Sequence, residues 1–357
     1  MRLTQFAQRR GNSFICSLLA VTVLWNDLFA LLASSLSWDV PPPEHGAAMM
    51  LIVSDPQLIG YQDENKWIGP LARWDSDRYL RRSFHLAMDV VNPDIVIFMG
   101  DLMDEGVKMS DDEWVATMAR FESIFWMPED VQTIYLPGDN DVGGEYEPVD
   151  AGLVRRFRRS FRNHLNLSSI GLGKVLFTEL NIMNNQATNL TPSAESSHLR
   201  VVLSHVPVMR SWNTRTQNLV YDLNADLILS AHDHIAEIYS RRVRGDTHFE
   251  RIGAKDLDRP VRFRASAKDP RIELQFPTCS YRMGVPHMGF GVLKIFVAED
   301  GKSMSVESSL IWLPSRYKQL AVYVVVLLIV LCALIQRFRC SFLLRKSTSL
   351  PSRAKIF

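Results

Sequence analysis

The segment PDIVIFMGDLMDEG, residues 93–106, shows most clearly how this chain is organised. Its apolar run at residues 95–99 is typical of a strand that is buried on both faces. Gly100 allows a sharp turn after that run, and Asp101 is the first charged side chain beyond it. Because ligands in open α/β folds bind beyond the carboxyl ends of strands, Asp101 is a candidate site residue.

Four further segments repeat this pattern, each with acids, amides or histidines directly after an apolar run. Taken singly, such residues are ambiguous, because an acid after a strand is often a helix cap and a His–x–His pair is often a surface feature. Five segments in series instead predict one site at the carboxyl edge of the strands. The four are SDPQ (54–57), GDND (138–141), SHVP (204–207) and AHDH (231–234).

Strand and helix patterns alternate in the first half of the middle region, and strands dominate its second half. This order predicts an α/β (α+β) domain of two sheets with helices outside them. Helices are predicted over residues 76–91, with Ser76 as cap, over 110–125, with a Ser110–Glu113 capping box, and over 153–165. Strands are predicted over residues 49–53, 94–99, 131–136, 175–180, 199–203, 227–230, 272–276, 291–296 and 304–311, and an exposed loop or insertion over 241–270.

Apolar residues concentrate at both ends of the chain. Residues 14–36 are long enough to cross a bilayer, which takes about 20 residues, but Asn26 and Asp27 interrupt the stretch. A cleaved signal peptide is therefore the alternative there. Residues 320–336 carry no charge and also predict a transmembrane helix, with a buried core helix as the alternative.

Basic residues outside both apolar stretches predict the orientation of the chain. Arg9 and Arg10 precede the first stretch, and Arg337 and Arg339 follow the second. Because cytosolic flanks are rich in Lys and Arg, both ends are expected in the cytosol and the middle in the lumen of the secretory pathway. The expected segments are a cytosolic amino terminus (1–13), a transmembrane helix (14–36), a lumenal domain (47–314), a second transmembrane helix (320–336) and a cytosolic tail (337–357).

Net charge and cysteine content narrow the class of protein. A formal net charge of +1 argues against a nucleic-acid binder, which would carry a basic domain. Cys279 is the single cysteine of the middle region, so no disulfide forms within it. Asn166 and Asn189 begin glycosylation sequons, which fit a lumenal glycoprotein, and the final RAKIF (353–357) loosely resembles a dibasic retrieval signal.

The residue types at the predicted site point to divalent metals. Carboxylates together with imidazoles suit Mn, Zn or Fe rather than Ca. Two such ions about 3.5–4 Å apart can clamp a phosphoryl group and lower the pKa of a water between them. Because no Ser or Cys stands in a comparable nucleophile motif, the pattern predicts metal-assisted hydrolysis of a phosphate ester.

In their order along the chain, the five segments resemble the calcineurin-like metallophosphoesterases over about residues 49–296. That superfamily runs D-x-H, G-D-x-x-D, G-N-H-[DE], a lone His and G-H-x-H. The resemblance implies an αββα sandwich, with two packed mixed sheets flanked by helices. The membrane-anchored branch of the superfamily has flanking spans and includes the enzyme that removes ethanolamine phosphate from GPI-anchor glycans. This chain resembles that branch at GDLMDEG (100–106), GGE (143–145), SHVP (204–207) and PTCSYR (277–282).

The resemblance also implies a role for each site residue. Two divalent ions are implied, with Mn expected and Zn, Fe or Mg as alternatives, and Asp101 would bridge them. The first ion would be held by Asp55, Gln57, Asp101 and His234, and the second by Asp101, Asp139, His205 and His232.

Three positions depart from the superfamily pattern. Gln57 replaces a His, Asp139 replaces an Asn, and Asn140 replaces the His expected near the leaving group. An amide oxygen ligates more weakly than imidazole, and Asn140 has no titratable proton to give. The retained acids and histidines favour metal binding, whereas the loss of that His puts the turnover rate in question.

The expected protein is a metal-dependent phosphodiesterase in the membranes of the ER, ER exit sites or cis-Golgi. It would remove ethanolamine phosphate from a GPI-anchor glycan, with the glycolipid or GPI-anchored proteins as partners, and so aid ER-to-Golgi transport. Asp101, Asn140 and His205 are the candidate catalytic residues, with Asn140 orienting the leaving oxygen. Two alternatives stay open: a catalytically weak GPI-protein trafficking factor, and a lumenal phosphatase for another phosphate ester.

Overall fold

A computed structural model gives the fold of the chain. It describes residues 2–162, 167–170, 173–182, 186–187, 198–211, 214–241, 250–253, 259–267 and 270–348. The sequon residues Asn166 and 189–191 and the RAKIF tail lie outside these ranges. The chain divides into a helical unit, Met1–Ala33 with Ser315–Phe357, and a central unit, Ser34–Pro314.

The elements run in the following order along the chain. The helices are α1 (Arg2–Leu24), α2 (Ala30–Ser35), α3 (Gly69–Val91), α4 (Asp111–Ile124), α5 (Asp139–Val142), α6 (Ala151–Ser160), α7 (Thr214–Asp222) and α8 (Arg316–Thr348). The strands are β1 (Ala48–Val53), β2 (Ile95–Phe98), β3 (Gln132–Tyr135), β4 (Leu167–Ile170), β5 (Gly173–Asn181), β6 (Gln186–Ala187), β7 (Leu199–Leu203), β8 (Leu227–Ser230), β9 (Glu237–Arg241), β10 (Glu250–Gly253), β11 (Val261–Ala265), β12 (Arg271–Gln275), β13 (Gly289–Val297) and β14 (Met304–Trp312).

The helical unit contains two stretches, Asn12–Ser35 and Arg316–Arg339, that are long and apolar enough to cross a membrane. They contain most of the first predicted span and all of the second. The first is interrupted by a π-helical turn at Trp25–Phe29, where Asn26 and Asp27 lie. Asn26 donates to the carbonyl of Gln319, and Asp27 pairs with Arg316 at 3.2 Å. The polar residues that interrupt the first span therefore have partners on α8.

The central unit is built from two mixed sheets, as predicted. The first has the order β11-β14-β13-β1-β2-β3, and β1, β2 and β3 run parallel. The second has the order β10-β9-β12-β8-β7-β5-β4, and β5, β7, β8 and β12 run parallel. The carboxyl ends of the parallel strands therefore lie together at one edge of each sheet.

One hydrophobic core lies between the two sheets. Alternate residues of each strand point into it, because side chains alternate across a strand. Met50 and Ile52 of β1 share this core with Val201 of β7 and Leu229 of β8. The opposite faces are covered by helices: Phe84 of α3, for example, packs against Phe98 of β2, and both rings are fully buried.

The structure corrects several predicted boundaries. Helix α3 begins at Gly69, with Pro70 in its first turn, so Ser76 is a buried interior residue and not a cap. Proline is favoured in that turn because the first N–H groups have no helical partner. The capping box of Ser110 and Glu113 is confirmed. The basic helix predicted over 153–165 runs instead from Ala151 to Ser160, after the cap Asp150.

The prediction of a loop over residues 241–270 is wrong for part of that segment. Strands β10 and β11 lie in it, and β10 pairs with β9, which the sequence patterns did not predict. Both are edge strands of their sheets, so charged residues such as Arg262 and Arg264 point to solvent. A charged edge strand has little hydrophobic periodicity, and only its pairing partner identifies it.

Candidate metal centre

Residues from all five predicted segments meet at the carboxyl edges of the two sheets. Asp55 follows β1, Asp101 follows β2, and Asp139 begins α5 after β3. His205 follows β7, and His232 and His234 follow β8. Because the two sheets face one another, these edges lie side by side and bring the side chains together.

The ligand atoms form two clusters that share Asp101. In each cluster the candidate atoms lie within 4.8 Å of one another. One contains Asp101, Asp139, His205 and His232, and the other contains Asp55, Asp101 and His234. A carboxylate common to both clusters is placed to bridge two ions.

Hydrogen bonding at His205 indicates a place for a cation. Its Nδ1 lies 2.8 Å from the carbonyl oxygen of Met99, so Nδ1 carries the proton that is donated to that oxygen. Its Nε2 then faces Asp139 Oδ1 at 3.1 Å and Asp101 Oδ1 at 3.4 Å. With Nδ1 used in this way, Nε2 faces two carboxylate oxygens whose negative charge is offset either by a proton on Nε2 or by a cation between these atoms.

Asp55 gives an independent indication. Its side chain is fully buried, and neither oxygen has a hydrogen-bond partner among the residues that the structure describes. Burial raises the pKa of this carboxyl to about 8. A buried carboxylate without donors is costly unless a cation compensates it, so Asp55 fits a metal ligand.

Charge balance in the cluster leads to the same conclusion. Burial alone would lower the pKa of His205, yet the Asp101 and Asp139 carboxylates raise it well above the usual range. Hydrogen bonds and attraction from His205 and His232 outweigh burial and lower the pKa of Asp139. The acids therefore stabilise positive charge on their neighbours, as a divalent cation site requires.

Gln57 and Asn140, the residues that depart from the superfamily pattern, both contact Asp101. Nε2 of Gln57 lies 3.0 Å from Asp101 Oδ2 and 3.2 Å from His234 Nε2. The amide of Gln57 is thus at the first cluster, where its oxygen can take the ligand position by rotation of the amide. Nδ2 of Asn140 donates to Asp101 Oδ2 at 3.0 Å.

The backbone of the site is held in an unusual conformation. Five of its residues have φ values between +41° and +69°: Asp55, Gln57, Asp101, His232 and His234. A left-handed conformation costs a non-glycine residue on the order of 1–3 kcal/mol and persists only where the surrounding contacts impose it. The fold therefore gives up some stability to aim these side chains into the site.

Two acids that the sequence patterns did not single out hold this backbone in place. Buried Asp141 accepts hydrogen bonds from the backbone N–H groups of Leu102, Met103 and Gly138 at 2.9–3.1 Å. Asp233, between the two histidines, accepts from Gln275 at 2.8 Å and pairs with Arg210 at 3.0 Å. Both acids lie inside the segments quoted from the sequence. Only their contacts in the structure show that they hold neighbouring groups in place and are not candidate metal ligands.

Close approach explains two glycines of the site. A Cβ at Gly138 would lie 2.0 Å from Asp101 Oδ1, and a Cβ at Gly100 would lie 2.5 Å from His205 Nδ1. Neither position can hold a larger residue without displacing a candidate ligand.

Two mixed sheets, helices on their outer faces and Asp/His clusters at the strand ends are the features of a metal-dependent phosphoester hydrolase. In agreement, residues 49–236 match the family model described as calcineurin-like phosphoesterase. The chain belongs to this family and is a metallophosphoesterase with a site for divalent metal ions.

The chain is similar to proteins named Metallophosphoesterase 1. It is 29% identical over 137 residues to the Metallophosphoesterase 1 homolog of Drosophila melanogaster, covering 38% of this chain and 35% of that protein. It is 24% identical over 209 residues to Metallophosphoesterase 1 of Danio rerio, covering 58% and 49% respectively. The matched region thus spans no more than half the length of these relatives. The chain is also similar to the solved structure of a 5'-nucleotidase precursor from Thermus thermophilus, at 12% identity and a TM-score of 0.38. The aligned region covers 80% of this chain and 59% of the nucleotidase chain.

Proposed function

We propose that this protein is a membrane-anchored phosphodiesterase of the early secretory pathway that removes ethanolamine phosphate from a GPI-anchor glycan. By doing so it would aid the transport of GPI-anchored proteins from the ER to the Golgi. One observation carries the proposal: Asp101 is common to two ligand clusters, in a chain with apolar helices at both ends. A shared carboxylate supports phosphoester hydrolysis, and the helices support a substrate in the membrane.

The proposed ligands are the residues that the structure brings together. Asp55, Gln57, Asp101 and His234 would hold one ion, and Asp101, Asp139, His205 and His232 the other. When bound, two such ions polarise a phosphoryl group and provide a nucleophile at neutral pH. Mn is the proposed metal; Zn and Fe suit the same carboxylate and imidazole donors, and Mg would keep more of its water.

Asn140 is proposed to act on the leaving side of the reaction. Its backbone N–H and its side-chain amide both donate to Asp101, at 3.0 Å each. It therefore stands beside the bridging carboxylate and can donate a hydrogen bond to a leaving oxygen. Because an amide does not release a proton, it would orient that oxygen and not protonate it.

The membrane part of the proposal rests on the two candidate spans and on the basic residues beside them. Arg337 and Arg339 follow the second span, and arginines precede the first. Both termini would then be cytosolic and the catalytic domain lumenal, in the membranes of the ER, ER exit sites and cis-Golgi. Protease added to sealed microsomes should spare the central domain; digestion of that domain would show the opposite orientation.

A direct test measures metal and turnover on the purified full-length chain. We expect two metal ions per chain and Mn-dependent release of ethanolamine phosphate from a GPI glycan. Asp101→Ala should lose both ions, whereas Asp300→Ala, in an exposed turn, should keep them. Unchanged metal content in the Asp101 variant would rule out the shared site.

A second candidate, a catalytically weak factor that binds GPI-anchored proteins, is favoured by Gln57 and Asn140. These residues weaken one metal position and remove a proton donor. Two bound ions with no hydrolysis across GPI glycans, nucleotides and sugar phosphates would favour this candidate, and hydrolysis of a soluble phosphate ester alone would favour a lumenal phosphatase.

A further inference from the structure

The beginning of α3 exposes four large apolar side chains, Trp67, Ile68, Leu71 and Trp74, which we call the α3 patch. Their exposed fractions are 92%, 61%, 64% and 57%. Trp67, Leu71 and Trp74 follow at intervals of four and three residues, so they share one face of the helix and of the turn before it. Single exposed apolar residues are ordinary, but a contiguous group of large ones marks an interaction surface.

The charges around the α3 patch are suited to a phospholipid surface. Lys66 is exposed, and the guanidinium group of Arg78 lies 5.5 Å from the ring centre of Trp74. The exposed or half-buried acids nearby are in ion pairs, Asp63 with Lys108, Glu64 with Arg282 and Asp77 with Arg120. Asp75 is buried and accepts a hydrogen bond from the Tyr281 hydroxyl. Tryptophan beside basic residues is the composition that interfacial helices present to lipid headgroups.

The same helix reaches the point where the central unit continues into a candidate span. The hydroxyl of Tyr79 donates to the carbonyl of Pro314 at 2.9 Å. Pro314 is the last residue of the central unit, and the second candidate span begins two residues later at Arg316. Leu71 lies about 12 Å along the helix from Tyr79, at 1.5 Å per residue. The α3 patch is therefore near the end of the domain from which the chain enters the membrane.

Both connections to the spans leave the central unit at this end. The hydroxyl of Ser34, its first residue, and the indole N–H of Trp38 each donate to the carbonyl of Trp312 at 2.8 Å. The two points at which the central unit continues into the candidate spans therefore lie at one end of this unit. The α3 patch lies on α3, which contacts that end through Tyr79.

Strand register places the metal centre toward the same end. Ile52 of β1 pairs with Gly291 of β13, and Gly291 pairs with Leu310 of β14. Trp312 lies two residues beyond Leu310, and Asp55 lies three residues beyond Ile52. Trp312 and Asp55 therefore lie at similar heights along the strand direction of the sheet. The chain thus leaves for the membrane from the edge of the first sheet that carries the metal ligands.

We infer that the α3 patch inserts into the headgroup region of the bilayer that the spans cross, as a third attachment that holds the metal centre facing the phospholipid surface. This inference rests on the membrane anchorage in the proposed function. It adds that the domain is docked on the membrane and does not swing freely on its two connections.

The segment between the metal centre and the α3 patch is held rigidly. The backbone N–H groups of Gln62 and Asp63 donate to the carboxylate of buried Glu105 at 2.8 and 3.0 Å. Arg73 of α3 donates to the carbonyl of Gly60 at 2.9 Å. Insertion of the patch would therefore set the height of the site above the lipid, which suits a substrate whose phosphodiester lies in a glycolipid headgroup.

Spin labels on the full-length chain in phosphatidylcholine vesicles test the inference. A nitroxide is placed at Leu71→Cys, in a chain whose Cys16, Cys332 and Cys340 are changed to Ala, while buried Cys279 is kept. The matched control is Lys302→Cys, exposed in the turn between β13 and β14, at the opposite end of the nine-residue strand β14. The circular dichroism spectrum of each labelled chain, compared with that of the unlabelled chain, verifies folding.

We expect the label at residue 71 to collide with oxygen and to be protected from a water-soluble nickel complex. The label at residue 302 should show the reverse. Equal nickel accessibility at both positions would overturn the inference. A third label at Leu328→Cys in α8 separates the two claims: if it is protected while residue 71 is not, only the docking is wrong, and if it is itself accessible to nickel, the anchorage is wrong.

Discussion

Asn140 binds both oxygens of the Asp101 carboxylate, with its backbone N–H to Oδ1 and its side-chain amide to Oδ2, each at 3.0 Å. The carboxylate shared by the two ligand clusters is therefore oriented by the residue that occupies the position of the superfamily's third-motif His. The role proposed for Asn140 at the leaving oxygen would then involve the same side chain that orients Asp101.

Restoring imidazole at this position should supply the missing general acid. We expect Asn140→His to raise kcat by about 10²-fold for a phosphodiester with an alkoxide leaving group, because that oxygen must be protonated as it departs. For a p-nitrophenolate leaving group, which departs without protonation, the gain should be small. Steady-state kinetics on both esters, with metal content determined in parallel, measure the difference. Equal effects on the two esters would contradict the role.

Metal binding should fail when the backbone near Asp101 is crowded, even if every ligand is retained. A Cβ at Gly138 would lie 2.0 Å from Asp101 Oδ1 and 2.3 Å from its backbone nitrogen. We expect Gly138→Ala to lose most bound metal and to cost about 1–3 kcal/mol of stability through overpacking. Gly253→Ala is the control, since its Cβ would meet nothing within 4 Å. Elemental analysis of both variants measures the bound metal. Normal metal content in Gly138→Ala would show that a Cβ at residue 138 does not displace Asp101.

The ion pair of Asp27 and Arg316 in the helical unit should contribute to stability only when both residues are present. The side chains of Asp27 and Arg316 are 12% and 7% exposed. Because Asp27→Ala would leave Arg316 buried without its acid, we expect a loss of up to about 3–5 kcal/mol, as for other broken buried pairs. The double change Asp27→Leu with Arg316→Leu should recover much of it. Unfolding of the full chain in mixed micelles measures both, and a double variant as unstable as the single one would argue against coupling.

Asp104 should make stability depend on pH. Burial, reinforced by Glu105, raises its pKa from 3.8 to about 6. The folded state thus binds a proton more tightly than the unfolded state, so stability falls as pH rises from about 4 to about 6. At pH 7 we expect Asp104→Asn to be about 2–3 kcal/mol more stable than the wild type, and the gain should vanish below pH 4. Urea unfolding in the presence of chelator, across this pH range, tests the sign; a gain that persists at pH 4 would exclude this cause.

Much of the candidate site could be predicted locally, since each acid or histidine directly follows an apolar run. Strands that read as continuous apolar runs are buried, and parallel strands bring their carboxyl ends to one edge. The order of the segments therefore sufficed to name Asp55, Asp101 and Asp139 with His205 and His232 as neighbours. Both apolar stretches could also be predicted from the sequence, because length and composition alone make a stretch a candidate for crossing a bilayer.

What periodicity could not show depends on residues far apart in the chain. The charged edge strands β10 and β11 exist through their pairing partners, and the partners of Asn26 and Asp27 lie almost three hundred residues away, at Gln319 and Arg316. The exposed start of α3 follows no core pattern. Left-handed backbone at Asp101 and its neighbours, and the anchoring contacts of Asp141 and Asp233, depend on neighbouring loops that only the folded sheets bring together. Local patterning thus selects which residues are available, and long-range packing assigns their geometry and their partners.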